Sequence, residues 1–171
     1  MAVGLLAARW LNQSKTASRP IYWSMFVWSG LSLAPDLDIF GFYVGVRYED
    51  PWGHRGATHS ITFAAAAGVL TFLCARAASG RLKEVSALRL ALTSFLVIVS
   101  HGVLDTLTDG GLGCALLWPF SDQRFFAPWT PIPVAPLGAR FLSLRGFFVA
   151  LVELCLFAPL LLIAFLKSRR D

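Results

Sequence analysis

The chain has 171 residues, of which 56% are hydrophobic and 15% charged, with a formal net charge of +5. A soluble domain carries about 25% charged residues, so this shortfall, with a mean hydropathy of +0.63, excludes an ordinary soluble protein and indicates one integral membrane domain over 1–171. The positive charge does not indicate nucleic acid, because the bases flank apolar runs instead of forming a patch among aromatics.

The first apolar stretch, Met1–Ala8, is short, and Arg9, Lys15 and Arg19 follow it instead of preceding it. That order does not fit a signal peptide and predicts a short interfacial or packing helix. The next run, Ile21–Ala34, falls below the roughly 20 residues a span needs, which predicts a tilted or partial crossing. Pro35 should end it near Ala34 and present Asp36 and Asp38 at its C-terminal mouth. A polar, aromatic loop follows over Gly41–Gly53. The second span should run from about Thr58 to Ala78, with small residues at Ala64–Gly68 for close packing in lipid, and the third over about Val85–Leu107. Thr108–Leu142 is rich in Gly and Pro, and its aromatics suit a loop at the membrane interface. The last span is Leu144–Leu166. The expected fold is therefore all-α, an integral membrane helical bundle with about four transmembrane helices and a short N-terminal helix.

Ten of the fifteen bases lie in three clusters: Arg9, Lys15 and Arg19; Arg76, Arg81, Lys83 and Arg89; and Lys167, Arg169 and Arg170. The positive-inside rule places all three in the cytoplasm, with both termini inside and every histidine at the opposite face. Cys74, Cys114 and Cys155 form no CxxC pair, and Cys74 and Cys155 read as small buried hydrophobes.

All three histidines lie in two motifs, His54-Arg-Gly-Ala-Thr-His59-Ser60 and Ser100-His101-Gly-Val-Leu-Asp105. On a helix His101 and Asp105 share one face, one turn apart, and a neutral imidazole and a carboxylate at that spacing can hold one divalent ion. Polar groups at the end of a membrane-length segment cost roughly 2.5–3.5 kcal/mol if they enter the hydrocarbon, so they need a partner. Asp36 and Asp38 at a helix C-terminus would oppose its dipole, which suggests a cation nearby. His59 should face the same cavity as His101, and Thr58 or Ser60 could cap the second span. Arg55 suits a phosphate or a developing oxyanion, or else an ion pair with Asp36 or Asp38. Glu153, the acid inside the last span, is either a buried protonated carboxyl or a group facing the cluster. Asp109, Asp122 and Arg124 belong to the outer loop, either solvated or touching substrate. No Gly-rich phosphate loop and no G-x-S-x-G elbow occurs, and Ser60 and Ser100 adjoin histidines from which they would point away. Histidines with carboxylates favour zinc, with manganese as the alternative.

The segments APDLD, HRGATHS and SHGVLDTLTDGG, followed by PFSDQRFFAP, resemble the bacterial membrane-bound metal-dependent hydrolases of the LexA-regulated, inner-membrane type. The ordered Asp, His and HxxxD set is also distantly similar to the zinc-dependent phospholipase C and single-strand nuclease superfamily. The resemblance implies a multi-span inner-membrane protein with a metal-hydrolase site built from Asp36, Asp38, His54, Arg55, Thr58, His59, Ser60, His101 and Asp105. Too few histidines are present for a cluster of three zinc ions, so one ion, or two sharing carboxylates, is expected.

Together these readings predict a metal-dependent hydrolase at the periplasmic face of the bacterial inner membrane. Asp38, His59, His101 and Asp105 are expected as direct ligands. Asp36 and His54 would support them or hold a second ion, Asp36 or Glu153 would act as base, and Arg55 would stabilise anionic charge. The expected substrate is a membrane lipid or lipid-linked ester or phosphoester. The competing expectation is a non-enzymatic membrane protein whose His/Asp cluster holds a structural ion or passes one; nearly apolar inner halves of the second and third spans argue against transport.

Overall fold

The structure, a computed structural model, describes residues 2–12, 21–78, 84–136 and 138–166. The chain forms α1 (Ala2–Asn12), α2 (Ile21–Ser32), α3 (Ile61–Ala78), α4 (Glu84–Thr106) and α5 (Leu144–Leu166), with 3₁₀ helices at Ala34–Val44, Ala57–His59 and Gly138–Leu142. Extended pairing among the described residues is confined to two isolated bridges, Thr108 with Ile132 and Cys114 with Phe125. The fold is all-α, as expected.

Among the described residues, three helices are long and apolar enough to cross a membrane, through Ile61–Ala78, Ser86–Thr106 and Leu144–Ile163. The 12 residues of α2 reach only about 18 Å, well short of a 30 Å hydrocarbon core. Among the described residues three helices thus have the length of a full span, and α2 is short, as expected of a partial crossing. α1 packs along α2 around a core of Ala8, Trp28 and Val97, and a Cβ on Gly4 would collide with the Trp28 carbonyl. Within the described residues, 2–8 therefore belong to a packing helix.

α3 and α4 form the tightest pair. A Cβ on Gly68 would stand 3.1 Å from the Ala91 carbonyl, and Thr71 Oγ1 donates across the interface to Ser94 Oγ at 3.0 Å. Small residues and a hydroxyl bond hold helices together where lipid supplies no hydrophobic drive. α5 packs on α1 and on Gly138–Leu142, and among the described residues on no other helix. The outward faces of the spans carry exposed Val69, Leu70, Leu73, Leu92, Leu96, Phe148 and Leu151, as lipid-facing surfaces do. Cys74 and Cys155 share those faces, so the expectation that they are buried fails, and the buried thiol is Cys114. Of the basic clusters, Lys15, Arg19, Arg81, Lys83, Lys167, Arg169 and Arg170 lie outside the described residues.

One boundary differs in a way that matters to the site. α2 stops at Ser32, and Pro35 opens a new 3₁₀ helix instead of merely ending the old one. Asp36 and Asp38 consequently sit near the N-terminus of Ala34–Val44, where the helix dipole favours carboxylates, and not at the C-terminal mouth of α2.

Candidate metal centre

Three segments converge above the α3–α4 pair. The 3₁₀ helix Ala34–Val44 brings Asp36 and Asp38, the turn ending in Ala57–His59 brings His54, Arg55 and His59, and the last turns of α4 bring His101 and Asp105. Ser60 starts α3, its hydroxyl accepting from Phe63 N at 3.0 Å and donating to the Ala57 carbonyl at 2.7 Å. Of the two expected caps, Ser60 is the one used. Gly102 lets α4 touch the His59 carbonyl; any Cβ there would overlap it.

Asp36, His59, His101 and Asp105 form one group, their ligand atoms all within 4.8 Å of one another. His101 Nε2 lies 3.2 Å from Asp36 Oδ1 and 3.9 Å from Asp105 Oδ2; His59 Nε2 lies 3.6 Å and 3.4 Å from the same two oxygens. Both Nε2 atoms are buried and have no hydrogen-bond partner. They approach the carboxylates without aiming at them. With bonds of 2.0–2.2 Å, neighbouring ligands of a tetrahedral zinc stand about 3.3–3.6 Å apart, and the four distances here, 3.2–3.9 Å, bracket that spacing. The donor set fits a borderline divalent ion.

Asp38 stands behind this group. Its Oδ1 is 2.7 Å from His54 Nδ1; its Oδ2 accepts from Thr58 Oγ1 at 2.7 Å and from Arg55 N at 3.2 Å, and lies 3.2 Å from His59 Nδ1. With Thr58 Oγ1 also 3.1 Å from that nitrogen, acceptors surround Nδ1 of His59 and leave Nε2 as the nitrogen facing the cluster. Asp38, His54 and His59 could themselves hold an ion, but their facing atoms already satisfy one another.

Electrostatics follow from this layout. Burial pushes both aspartates up, but His101 and His59 beside Asp36, and His54, His59 and Thr58 beside Asp38, outweigh it and hold both carboxyls well below the usual range. Burial likewise opposes charge on His59, and the carboxylates of Asp105, Asp36 and Asp38 overcome it, pushing the imidazole up to about 10. Burial pushes the Cys114 thiol up to about 12, which removes it as a thiolate donor.

Arg55 does not pair with Asp36 or Asp38 through its side chain. Its Nε lies 3.2 Å from Asp105 Oδ2, while Nη1 donates to Thr108 Oγ1 and to the Gly110 carbonyl, both at 2.8 Å. Its backbone has a φ of 63°, held by N–H donation to Asp38 and by acceptance from Ala115 N at 3.0 Å. Glu153 lies on α5, outside both groups of candidate ligands. Arg124 is a structural clamp: Nη1 donates to the carbonyls of His54 and Gly113, and Nη2 to those of Tyr48 and Asp50. Asp109 is also structural, accepting from Val134 N at 2.7 Å. Sequence reasoning missed Thr108, Gly110 and Tyr48 as supports; the TDGG run after Asp105 was the available signal for the first two.

The sequence profile of the YdjM inner membrane protein family matches residues 1–170, and the chain belongs to that family. It is also 40% identical to the inner membrane protein YbcI of Escherichia coli strain K12 over 125 residues, 72% of this chain and 70% of that protein. No solved structure matches. The chain is a multi-pass protein of the bacterial inner membrane.

Proposed function

We propose that this member of the YdjM inner membrane protein family is a metal-dependent hydrolase with one divalent ion, zinc in preference to manganese, held by Asp36, His59, His101 and Asp105. One observation carries the reading: two buried imidazole nitrogens without a hydrogen-bond partner face two carboxylates at 3.2–3.9 Å, close to the edges of a tetrahedral site. Bare burial of such atoms would be costly, and an ion removes the cost. Asp38, expected as a direct ligand, takes the supporting position beside His54, and Asp36, expected as a support, takes its place among the ligands, so one ion accounts for both groups.

When bound, such an ion lowers the pKa of water from 15.7 toward about 7 and polarises a phosphoryl or acyl oxygen. The chain's own residues do the rest. Asp38 fixes the tautomer and tilt of His59. Arg55, buried and locked to Thr108 and Gly110, presents fixed positive charge beside Asp105. Asp36, with a side chain 39% exposed against 18% or less for the other three, marks the open side where substrate enters and a proton leaves. An open position is what separates a catalytic from a structural site. The site faces the periplasm and both termini the cytoplasm, a reading that takes α2 as the fourth, partial crossing and is supported by the basic clusters. The substrate is a lipid ester or phosphoester, because the site opens at the end of membrane-spanning helices.

Metal analysis of detergent-purified protein tests this reading. About one zinc per chain is expected in the wild type, and none in His101→Ala at unchanged membrane insertion. Zinc retained by His101→Ala would refute the ligand set. Zinc bound tightly by a protein inert toward phospholipid and phosphodiester substrates would favour a structural ion.

A further inference from the structure

Below the metal centre lies a groove of about 490 Å³, lined by Val27, Gly30, Leu31 and Ala34 of the α2 side, and Leu90 and Ser94 of α4. α2 and α3 do not pack against each other, so α4 forms the floor between them. Thr71 and Ser94, the polar groups on its wall, bond to each other and leave the lining apolar. The volume lies within the range of small-molecule sites, about 300–1,000 Å³.

The groove and the centre lie along the same side of α4. On α4, Leu90, Ser94, His101 and Asp105 recur at helical spacing along one stripe, and Ser94 lies two turns, about 10 Å, below His101. On the other wall Val27, Leu31 and Ala34 form the matching stripe, and Ala34 adjoins Pro35 and Asp36. A molecule polar at one end and apolar along its length fits both parts. The groove opens between helices at the depth of the spans, where hydrocarbon chains are the surrounding medium.

We propose that this groove is the acyl-chain subsite for a phospholipid whose phosphate reaches the metal centre. This rests on the hydrolase reading above, and it names the substrate class as a membrane phospholipid entering sideways from the bilayer. Gly30 is the gate residue. A Cβ there meets nothing within 4 Å, so a larger side chain would fill the groove without displacing the fold or touching a ligand.

The test uses full-length protein in vesicles of phosphatidylethanolamine and phosphatidylglycerol. They are doped with phosphatidylglycerol carrying a photoreactive diazirine on one acyl chain, or with diacylglycerol carrying the same group. Adducts are mapped by peptide mass spectrometry and zinc is measured on the same samples. Phospholipid adducts should concentrate on 27–34 and 90–94, exceed those of the diacylglycerol probe, and fall several-fold in Gly30→Leu while persisting in Gly30→Ala, with zinc unchanged in both. Adducts spread evenly over the outward faces of α3 and α5, insensitive to Gly30→Leu, would overturn the subsite. Equal labelling by both probes would overturn the phosphate contact. Zinc missing from wild-type protein would sink the hydrolase reading separately, since the adduct map is read independently of metal content.

Discussion

At the scale of single residues, the centre separates atoms that touch an ion from atoms that hold those in place. Asp38→Asn keeps shape but weakens the partner of His59 Nδ1. Zinc affinity should fall about 10–100-fold with stoichiometry retained at saturating zinc, whereas Asp36→Asn should remove stoichiometric binding; competition titration against a chelating dye distinguishes the two. Equal losses in both variants would mean that Asp38 is a ligand. Protonation gives a second expectation. His59 in the empty centre is raised to about 10, so at neutral pH it carries a proton that zinc must displace, while Asp36 and Asp38, held low, stay ionised. Affinity should therefore rise about tenfold per pH unit between about pH 6 and 8, with one proton released, measurable by calorimetry in buffers of different ionisation enthalpy. Sequence identified the pairing of His59, His101 and Asp105, because HxxxD spacing fixes a helical face. It ranked Asp38 above Asp36 as the direct ligand, and the geometry groups Asp36 with the histidines instead. Two residues apart in a 3₁₀ helix of about three residues per turn, they point to different sides, and only the surrounding turns decide which side holds the histidines.

At the scale of elements, Gly102 is where α4 meets the turn that carries His59. Gly102→Ala should raise intrinsic helix propensity yet push the His59 carbonyl away, so zinc content should drop although helicity by circular dichroism does not. A variant with full zinc would show that the turn can yield. Ser60→Ala, losing the cap of α3, should cost about 0.5–2 kcal/mol of stability, read as a lowered unfolding midpoint in detergent. α3, α4 and α5 were legible to within a few residues, since long apolar runs bounded by Gly, Pro and charge have one reading in a membrane. The 3₁₀ helix Ala34–Val44 was not. Pro35 reads as the stop of α2 and Gly41–Gly53 as loop, and the backbone turn at Pro35 that re-aims the aspartates has no periodic signature.

At the scale of the whole molecule, three spans and two short helices surround a site at one end. Phe120, 87% exposed in the outer loop, offers an orientation test in a background lacking Cys74 and Cys155. Phe120→Cys should react with a membrane-impermeant maleimide in intact cells; reaction only after permeabilisation would invert the topology. The Arg124 clamp adds a matter of timing. The turn bearing His54 and Arg55 is tied through its carbonyls to a guanidinium encoded some seventy residues later. While the ribosome is still making α4, that turn has its ties to Asp38 but lacks the clamp. The turn is therefore fully braced only after residue 124 has followed α4 out of the translocon. Under the proposed orientation the ion is then acquired from the periplasmic supply, once insertion is nearly complete, so the cytoplasmic metal pool never meters it.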